Sequence, residues 1–521
     1  PFPYHLVSVA LHLMNTLLVF FLVRRLTGHA GLGLMACAVF GVHPIHVEPV
    51  AWVASRKDLL YAAFYFLSAL CYLNYAARNH PGAYMGSLAL FVLSVLSKGM
   101  AVALAPTLLA IDYAMGRRLL ARRIWIEKIP FFVLALLGGL ATIEAQKRTG
   151  YIAAYDHLRP LGARILDAAY GALLYARSLL VPNQLCVHYP YPEGMTPALP
   201  LLYAGVIMGV LALSALFIRA IRRSRLASFS LLFLAINILF MLKLVPVSDF
   251  IAADRYAYVA SVGFCLLAAL ATRRLLERFP LRQSLTMFLF CGYLLTLAIV
   301  SAGQCRLWHN SLVLWENVLS RYPNNPFALD MTGNARFALR DFDGAIAAYD
   351  RALALGFRRS YVNRGYARSK KGDWAGAVAD DEQAIVLDPD SFLAHNNLSV
   401  ARHEMGDHEA AAAAASRALS LTTEPAQAGL AHHNRGRAEA AMGRSADALA
   451  DFGQSILLNP DYYPAWTSRA GERNKGGDYR GAADDAGQAI RLDPADPQAY
   501  RLRAEARRHM KDNAGADRDL A

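Results

Sequence analysis

Apolar runs with the length and composition of bilayer-crossing helices fill the first three-fifths of the chain, near residues 5–23, 30–42, 58–77, 83–97, 100–115, 129–145, 199–218, 227–246, 256–272 and 284–303. About ten spans are therefore expected. The second, fourth and fifth are short enough to need tilt or a neighbour. Residues 163–182 are apolar too, but they carry Arg164, Asp167 and Arg177. A charge at the bilayer centre is costly, so this stretch is expected at the interface or as a re-entrant helix.

After Trp308 the period changes. Small residues recur at Gly333, Gly365, Ser399, Gly436, Ala470 and Ala504, spaced by 32, 34, 37, 34 and 34 residues. Twelve positions after each comes an alanine: Ala345, Ala377, Ala411, Ala448, Ala482 and Ala516. Pro389, Pro425, Pro460 and Pro494 close four of the units. This is the tetratricopeptide (TPR) pattern: small residues let two helices approach closely, and proline stops the second. The predicted fold class is all-α, a polytopic transmembrane helix bundle followed by a TPR α-solenoid. The expected division is a membrane domain over 1–305, a linker helix over 306–326 and about five and a half repeats over 327–521. The last repeat is expected to be cut off at Ala521. Stacked repeats form a groove that takes extended peptide, and Asn363, Arg364, Asn397, Asn434 and Arg435 are candidate donors to it. The same residues also suit any solvated helix face.

Charge sharpens the picture. Residues 1–320 hold 27 Lys/Arg against 12 Asp/Glu, whereas residues 321–521 hold 26 against 28. The basic excess lies in the apolar part, in short loops such as Arg24–Arg25, Arg117–Arg118 and Arg222–Arg223. That is the positive-inside bias of a membrane protein, and it excludes nucleic acid as a partner. Alternation of the loops then puts His43–Asp58, Ser97–Met100, 146–195, 246–258 and everything after Gly303 on the outer face. The six cysteines form no CxxC, so neither a disulfide framework nor a zinc site is read from them.

The densest polar group is His43-Pro44-Ile45-His46-Val47-Glu48-Pro49, with Arg56-Lys57-Asp58 after it. It reads as a polar mouth for an anionic headgroup, with His43, Glu48 and Asp58 as candidate catalytic groups and Arg56 as a phosphate contact. It also reads as a capped loop with His43 satisfied by backbone, and no metal is assigned. Arg255 and Tyr256, in Asp254-Arg255-Tyr256-Ala257-Tyr258, form a candidate phosphate clamp or an aromatic belt with an Arg–Asp pair. Lys98 either joins that clamp or snorkels. A weaker outer stretch holds Lys147, Arg148, Tyr151, Tyr155, Asp156 and the run from His188 to Pro192.

Four stretches together resemble the transmembrane and TPR-containing O-mannosyltransferases and their bacterial relatives. They are Pro3-Tyr4-His5-Leu6-Val7, His43 to Asp58, Asp254 to Tyr258, and Arg306-Leu307-Trp308-His309-Asn310-Ser311 running to Glu316. The resemblance implies a GT-C-class glycosyltransferase, moving a sugar, typically mannose, from a polyprenyl-phosphate donor to protein hydroxyls outside the cytoplasm. No other cofactor is implied. Partners would be the lipid bilayer, the lipid-linked sugar and acceptor or partner proteins in the TPR groove. A bacterial inner-membrane location with the repeats in the periplasm is expected. The family's chief acid lies in the first outer loop, which by this likeness precedes Pro1, so Glu48 is the supporting acid. A non-catalytic, membrane-anchored TPR scaffold is the alternative.

Overall fold

The computed structural model describes residues 2–148, 160–191, 200–221, 224–242 and 250–521. Tyr151, Tyr155, Asp156, Pro192, Arg222, Arg223, Ser248 and Asp249 fall outside the described residues. The chain is nearly all helical and divides into two compact units, Pro1–Tyr322 and Pro323–Ala521. Residues 306–322, expected in a linker, cluster with the first unit.

In the first unit helices stand at every apolar run: α1 Phe2–Thr27, α2 Ala30–Val42, α3 Val47–Ala51, α4 Arg56–Arg78, α5 Pro81–Ser97, α6 Leu104–Ala114 and α7 Arg122–Arg148. They continue as α8 Leu161–Leu180, α9 Pro200–Ile221, α10 Arg225–Leu239, α11 Ala257–Arg278, α12 Gln283–Leu307 and α13 Ser311–Arg321. Among the described residues, five helices are long and apolar enough to cross a membrane alone. The pair Ala30–Val42 and Pro44–Ala51, bent by 56°, makes a sixth if counted as one broken span. The bend falls at His43-Pro44, because proline offers no N–H to continue the ladder. The protein is thus a multi-pass integral membrane protein.

The core is a continuous packing of α1, α2, α4, α6, α10 and α11 side chains, with Phe40, Tyr65, Phe66, Tyr72 and Phe233 fully buried in it. Gly263 sets how closely α10 and α11 meet. A Cβ there would stand 2.3 Å from the Ser230 carbonyl oxygen, so only glycine fits. At one end of the unit, α4, α6 and α7 share a charged network. Asp112 accepts from Tyr72 at 2.8 Å, Arg117 at 2.8 Å and Lys128 at 2.6 Å. Arg117 also reaches Glu127 at 2.9 Å. Lys128 and Asp112 have no exposed side-chain surface, and pairing is what permits both to remain there.

The second unit is six helix pairs: α14 Pro326–Ala338 with α15 Phe342–Ala354, α16 Ser360–Lys371 with α17 Trp374–Leu387, α18 Phe392–Glu404 with α19 His408–Ser420, α20 Pro425–Ala441 with α21 Ser445–Leu458, α22 Tyr463–Lys475 with α23 Tyr479–Leu492, and α24 Pro497–His509 with α25 Asn513–Leu520. In five pairs an aspartate caps the second helix: Asp341, Asp373, Asp407, Asp478 and Asp512 accept from backbone N–H groups three residues on. A bidentate clamp ties the two helices of four pairs. Its Nε–Oδ2 distances are 2.9 Å for Arg364–Asp380, 2.7 Å for Arg435–Asp451, 2.8 Å for Arg469–Asp485 and 2.9 Å for Arg503–Asp519.

One position breaks the repeat's own rule. Four residues after the marker alanine the chain has Tyr349, Ala415, Phe452, Ala486 and Leu520, but Asp381 in α17. Asp381 is 1% exposed, and neither carboxylate oxygen has a hydrogen-bond partner. Burial, then the neighbouring Asp380 charge, pushes its pKa up from 3.8 to about 8. The folded array therefore holds a proton that the unfolded chain loses near pH 4. The stability this proton carries is full below about pH 4 and is lost as pH rises to about 8. Asp381→Asn should remove that slope and stabilise the array at pH 9 by about 1–3 kcal/mol. Urea midpoints of the array at pH 5 and 9, followed by pulse proteolysis of the full chain, measure it; an unchanged slope contradicts the assignment.

Candidate functional site

Opposite charges far apart in sequence meet where α3, the start of α4, the turn before α6 and the start of α11 converge. Glu48 is 3% exposed and is held by both ends of one residue. Its Oε2 accepts the Arg255 backbone N–H at 2.9 Å, and its Oε1 pairs with the Arg255 guanidinium. Asp58, fully buried, pairs with the Lys98 ammonium and leaves its Oδ2 without a hydrogen-bond partner.

The Tyr256 ring lies between the two pairs. Arg255 Cζ stands 4.8 Å from its centroid and Lys98 Nζ 5.0 Å, and Arg255 also lies 5.1 Å from the Trp52 ring. Two cations that would repel one another thus share one aromatic ring, each with its own carboxylate. The local chain makes this possible: the turn Asp254–Tyr256 runs straight into α11, so Arg255 presents its N–H and its side chain to the same acid.

His43 departs from the catalytic role expected of it. The Ile45 N–H donates to Nδ1 at 3.2 Å, and Nε2 bonds the Leu179 carbonyl at 3.0 Å. With both ring nitrogens engaged by backbone, His43 ties the bend after α2 to the end of α8 and has no lone pair to offer a substrate. His46 likewise bonds the Phe40 carbonyl at 2.7 Å and Ser261 Oγ at 2.9 Å. Arg56 also stands elsewhere, with its guanidinium 5.2 Å from the Tyr4 ring, so it belongs to the rim of α1 and not to the two pairs.

The sequence offered Asp254 only as a partner for arginine, but Arg255 pairs with Glu48, and Asp254 is 6% exposed. Its Oδ1 accepts from the Tyr189 hydroxyl at 2.8 Å. The short antiparallel pairing of Tyr189–Pro190 with Phe250–Ala252 brings these two residues together. Asp254 and Glu48 open on one slot of about 10 Å³, room for a single water, walled by Cys186, Gln304, Trp308 and Asn317 among others. Burial pushes the Cys186 thiol up to about 12, so it is a neutral wall and not a nucleophile. The available signal for Asp254 was an acid directly before an arginine at the mouth of an apolar run.

The repeat residues named as peptide donors are largely taken. Arg364 and Arg435 are members of the helix clamps. Asn363 bonds Asp330 at 3.1 and 3.2 Å, and Asn434 bonds Asn396 at 2.9 Å. Asn397, half-buried on α18, has no side-chain hydrogen bond among the described residues.

Residues 2–144 match the sequence profile of the dolichyl-phosphate-mannose-protein mannosyltransferase family. Protein O-mannosyl-transferase F38B6.6 of Caenorhabditis elegans is 24% identical over 335 residues, 62% of this chain and 46% of that protein. Protein O-mannosyl-transferase TMTC3 of Mus musculus is 23% identical over 388 residues, 66% of this chain and 41% of that protein. Tmtc1 of Drosophila melanogaster is 36% identical over 102 residues, 20% of this chain and 12% of that protein. The matches thus span less than half the length of each of these relatives. Among solved structures, PilW, a type IV pilus biogenesis factor, is 18% identical with a TM-score of 0.35, over 37% of this chain and 90% of that one.

The ion pairs make unequal demands. Lys98→Met strands the buried Asp58 carboxylate and should destabilise the membrane unit by about 3–5 kcal/mol. Asp58→Asn leaves the partly exposed Lys98 free to reach water and should cost less. Thermal unfolding of both variants in detergent tests the order; equal losses contradict it.

Proposed function

We propose that this chain is one of the transmembrane and TPR-containing protein O-mannosyl-transferases and that it transfers mannose from a polyprenyl-phosphate donor to Ser or Thr hydroxyls of proteins. The reaction would run on the extracytoplasmic face, in a bacterial host the periplasmic side of the inner membrane. The observation that carries this reading is the pair of compensated cations around Tyr256, which lie beside a slot holding two carboxylates. Glu48, Asp58 and Lys98 also fall inside the stretch that matches the mannosyltransferase profile.

In this reading the donor phosphate displaces Glu48 as the partner of Arg255, with Lys98 adding a second positive charge. Exchanging one anion for another keeps the guanidinium paired throughout, which a buried cation requires. A carboxylate then takes the acceptor proton as the hydroxyl oxygen attacks the anomeric carbon. The bond from that carbon to the phosphate oxygen breaks, and its electron pair leaves on the polyprenyl phosphate, stabilised by Arg255 and Lys98. Asp254 suits the proton role because one of its oxygens is oriented by Tyr189. Glu48, released from Arg255, is its neighbour in the slot. Acceptor or partner proteins would be gathered by the repeat groove. There Asn397 is the available amide, while the arginine clamps hold the two helices of a pair together.

The chain purified in detergent, given polyprenyl-phosphate-[³H]mannose and a Ser/Thr-rich peptide, tests the proposal. Glu48→Gln and Asp254→Asn should each lower kcat by about 10²-fold or more. Arg255→Ala should abolish donor binding while the array stays folded. Glu48→Gln, freeing Arg255 of its competitor, should not weaken donor binding. Transfer unaffected by all three substitutions contradicts the assignment. Peptide capture without any transfer favours a membrane-anchored scaffold.

A further inference from the structure

A second cavity shares Tyr189, which orients Asp254, with the site described above, but its two cations belong to none of the groups above. It has a volume of about 110 Å³ and is lined by Leu174, Arg177, Ser178, Val181, Gln184, Tyr189, Arg321 and Tyr322. Two guanidiniums meet there, one from the last turn of α8 and one from the end of α13. Arg177 donates to the Gln184 side-chain oxygen, and Arg321 donates to the Leu185 carbonyl at 2.6 Å. Among the described residues neither is bridged to a carboxylate, unlike Arg255, Arg117 and the clamps of the repeats. Asp254 feels the charge of Arg321 but takes its hydrogen bond from Tyr189.

We propose that Arg177 and Arg321 form a binding site for a phosphate group. Two guanidinium forks arriving from different elements suit a tetrahedral anion that offers several oxygens and up to two charges, whereas a carboxylate would neutralise only one of them. The volume admits such a group with a few waters. One side of the mouth is apolar and open: Val181 lines the cavity and is 53% exposed, with Leu180 at 63% beside it in sequence. A rim of that kind favours a phosphate carried on a lipid over a free ion. The site stands on the cavity and its two cations and does not depend on the transferase reading.

Calorimetry on the full chain in detergent tests it in two arms. One titrates short-chain phosphatidic acid against phosphatidylcholine of the same chain length, and the other titrates inorganic phosphate. Arg177→Gln or Arg321→Gln should weaken phosphatidic acid binding about tenfold or more, with phosphatidylcholine unaffected. The Lys variants should retain part of the affinity. Ser178→Phe, which fills the cavity and keeps both charges, should block binding as well, and covers the case in which an arginine variant fails to fold. Arginine-dependent binding of phosphatidic acid alone identifies a lipid site. Equal arginine-dependent binding of inorganic phosphate identifies a site for the free anion. Binding in neither arm, or binding indifferent to all these substitutions, overturns the proposal. Mannose transfer is not the readout, so either reading can fail alone.

Discussion

A charge inside a helix bundle that crosses a bilayer has to bring its counter-charge with it, and the membrane unit is organised around that requirement. In one region α4, α6 and α7 are joined through Asp112, Glu127, Arg117 and Lys128. In another Glu48–Arg255 joins α3 to the turn before α11, and Asp58–Lys98 joins α4 to the turn after α5. The apolar packing supplies most of the contact area, but in a bilayer lipid is as good a partner for leucine as another helix is. The paired charges are what make one arrangement of these helices better than its neighbours.

The two charged regions differ in what they leave open. Asp112 is saturated by a tyrosine, an arginine and a lysine. In the Tyr256 region each cation has a single carboxylate, Asp58 keeps an unpartnered oxygen, and Asp254 opens on a slot shared with Glu48. A saturated network holds helices together, whereas one with an unpartnered carboxylate oxygen and an adjoining slot has room to exchange partners. That difference is why a phosphate-handling role is proposed for the second region and not for the first.

Much of the architecture was legible in the sequence because it rests on local rules. Apolar runs became helices, a proline bent the second span, and aspartates capped repeat helices, three of them directly after a glycine. The contacts between distant residues were not legible. Glu48 meets Arg255 across 207 positions, and no periodicity announces such a pair. For His43 the sequence left a catalytic and a backbone-satisfied reading open, and the bonds to Ile45 and Leu179 match the second. In the repeats the recurrent arginine was read as a ligand donor although an aspartate follows it sixteen residues later in four pairs, a spacing that places the two on facing helices.

The proposed exchange requires Glu48 and Arg255 to act as one unit, and a double-mutant cycle measures that directly. The chain, Glu48→Gln, Arg255→Met and the double variant would be compared by thermal unfolding in detergent. If the pair is as described, each single variant loses stability by leaving a buried partner uncompensated. The double variant then recovers much of that loss, with a coupling of several kcal/mol. Strictly additive losses would mean that the two residues act independently, and the proposed exchange of Glu48 for a donor phosphate would have no basis.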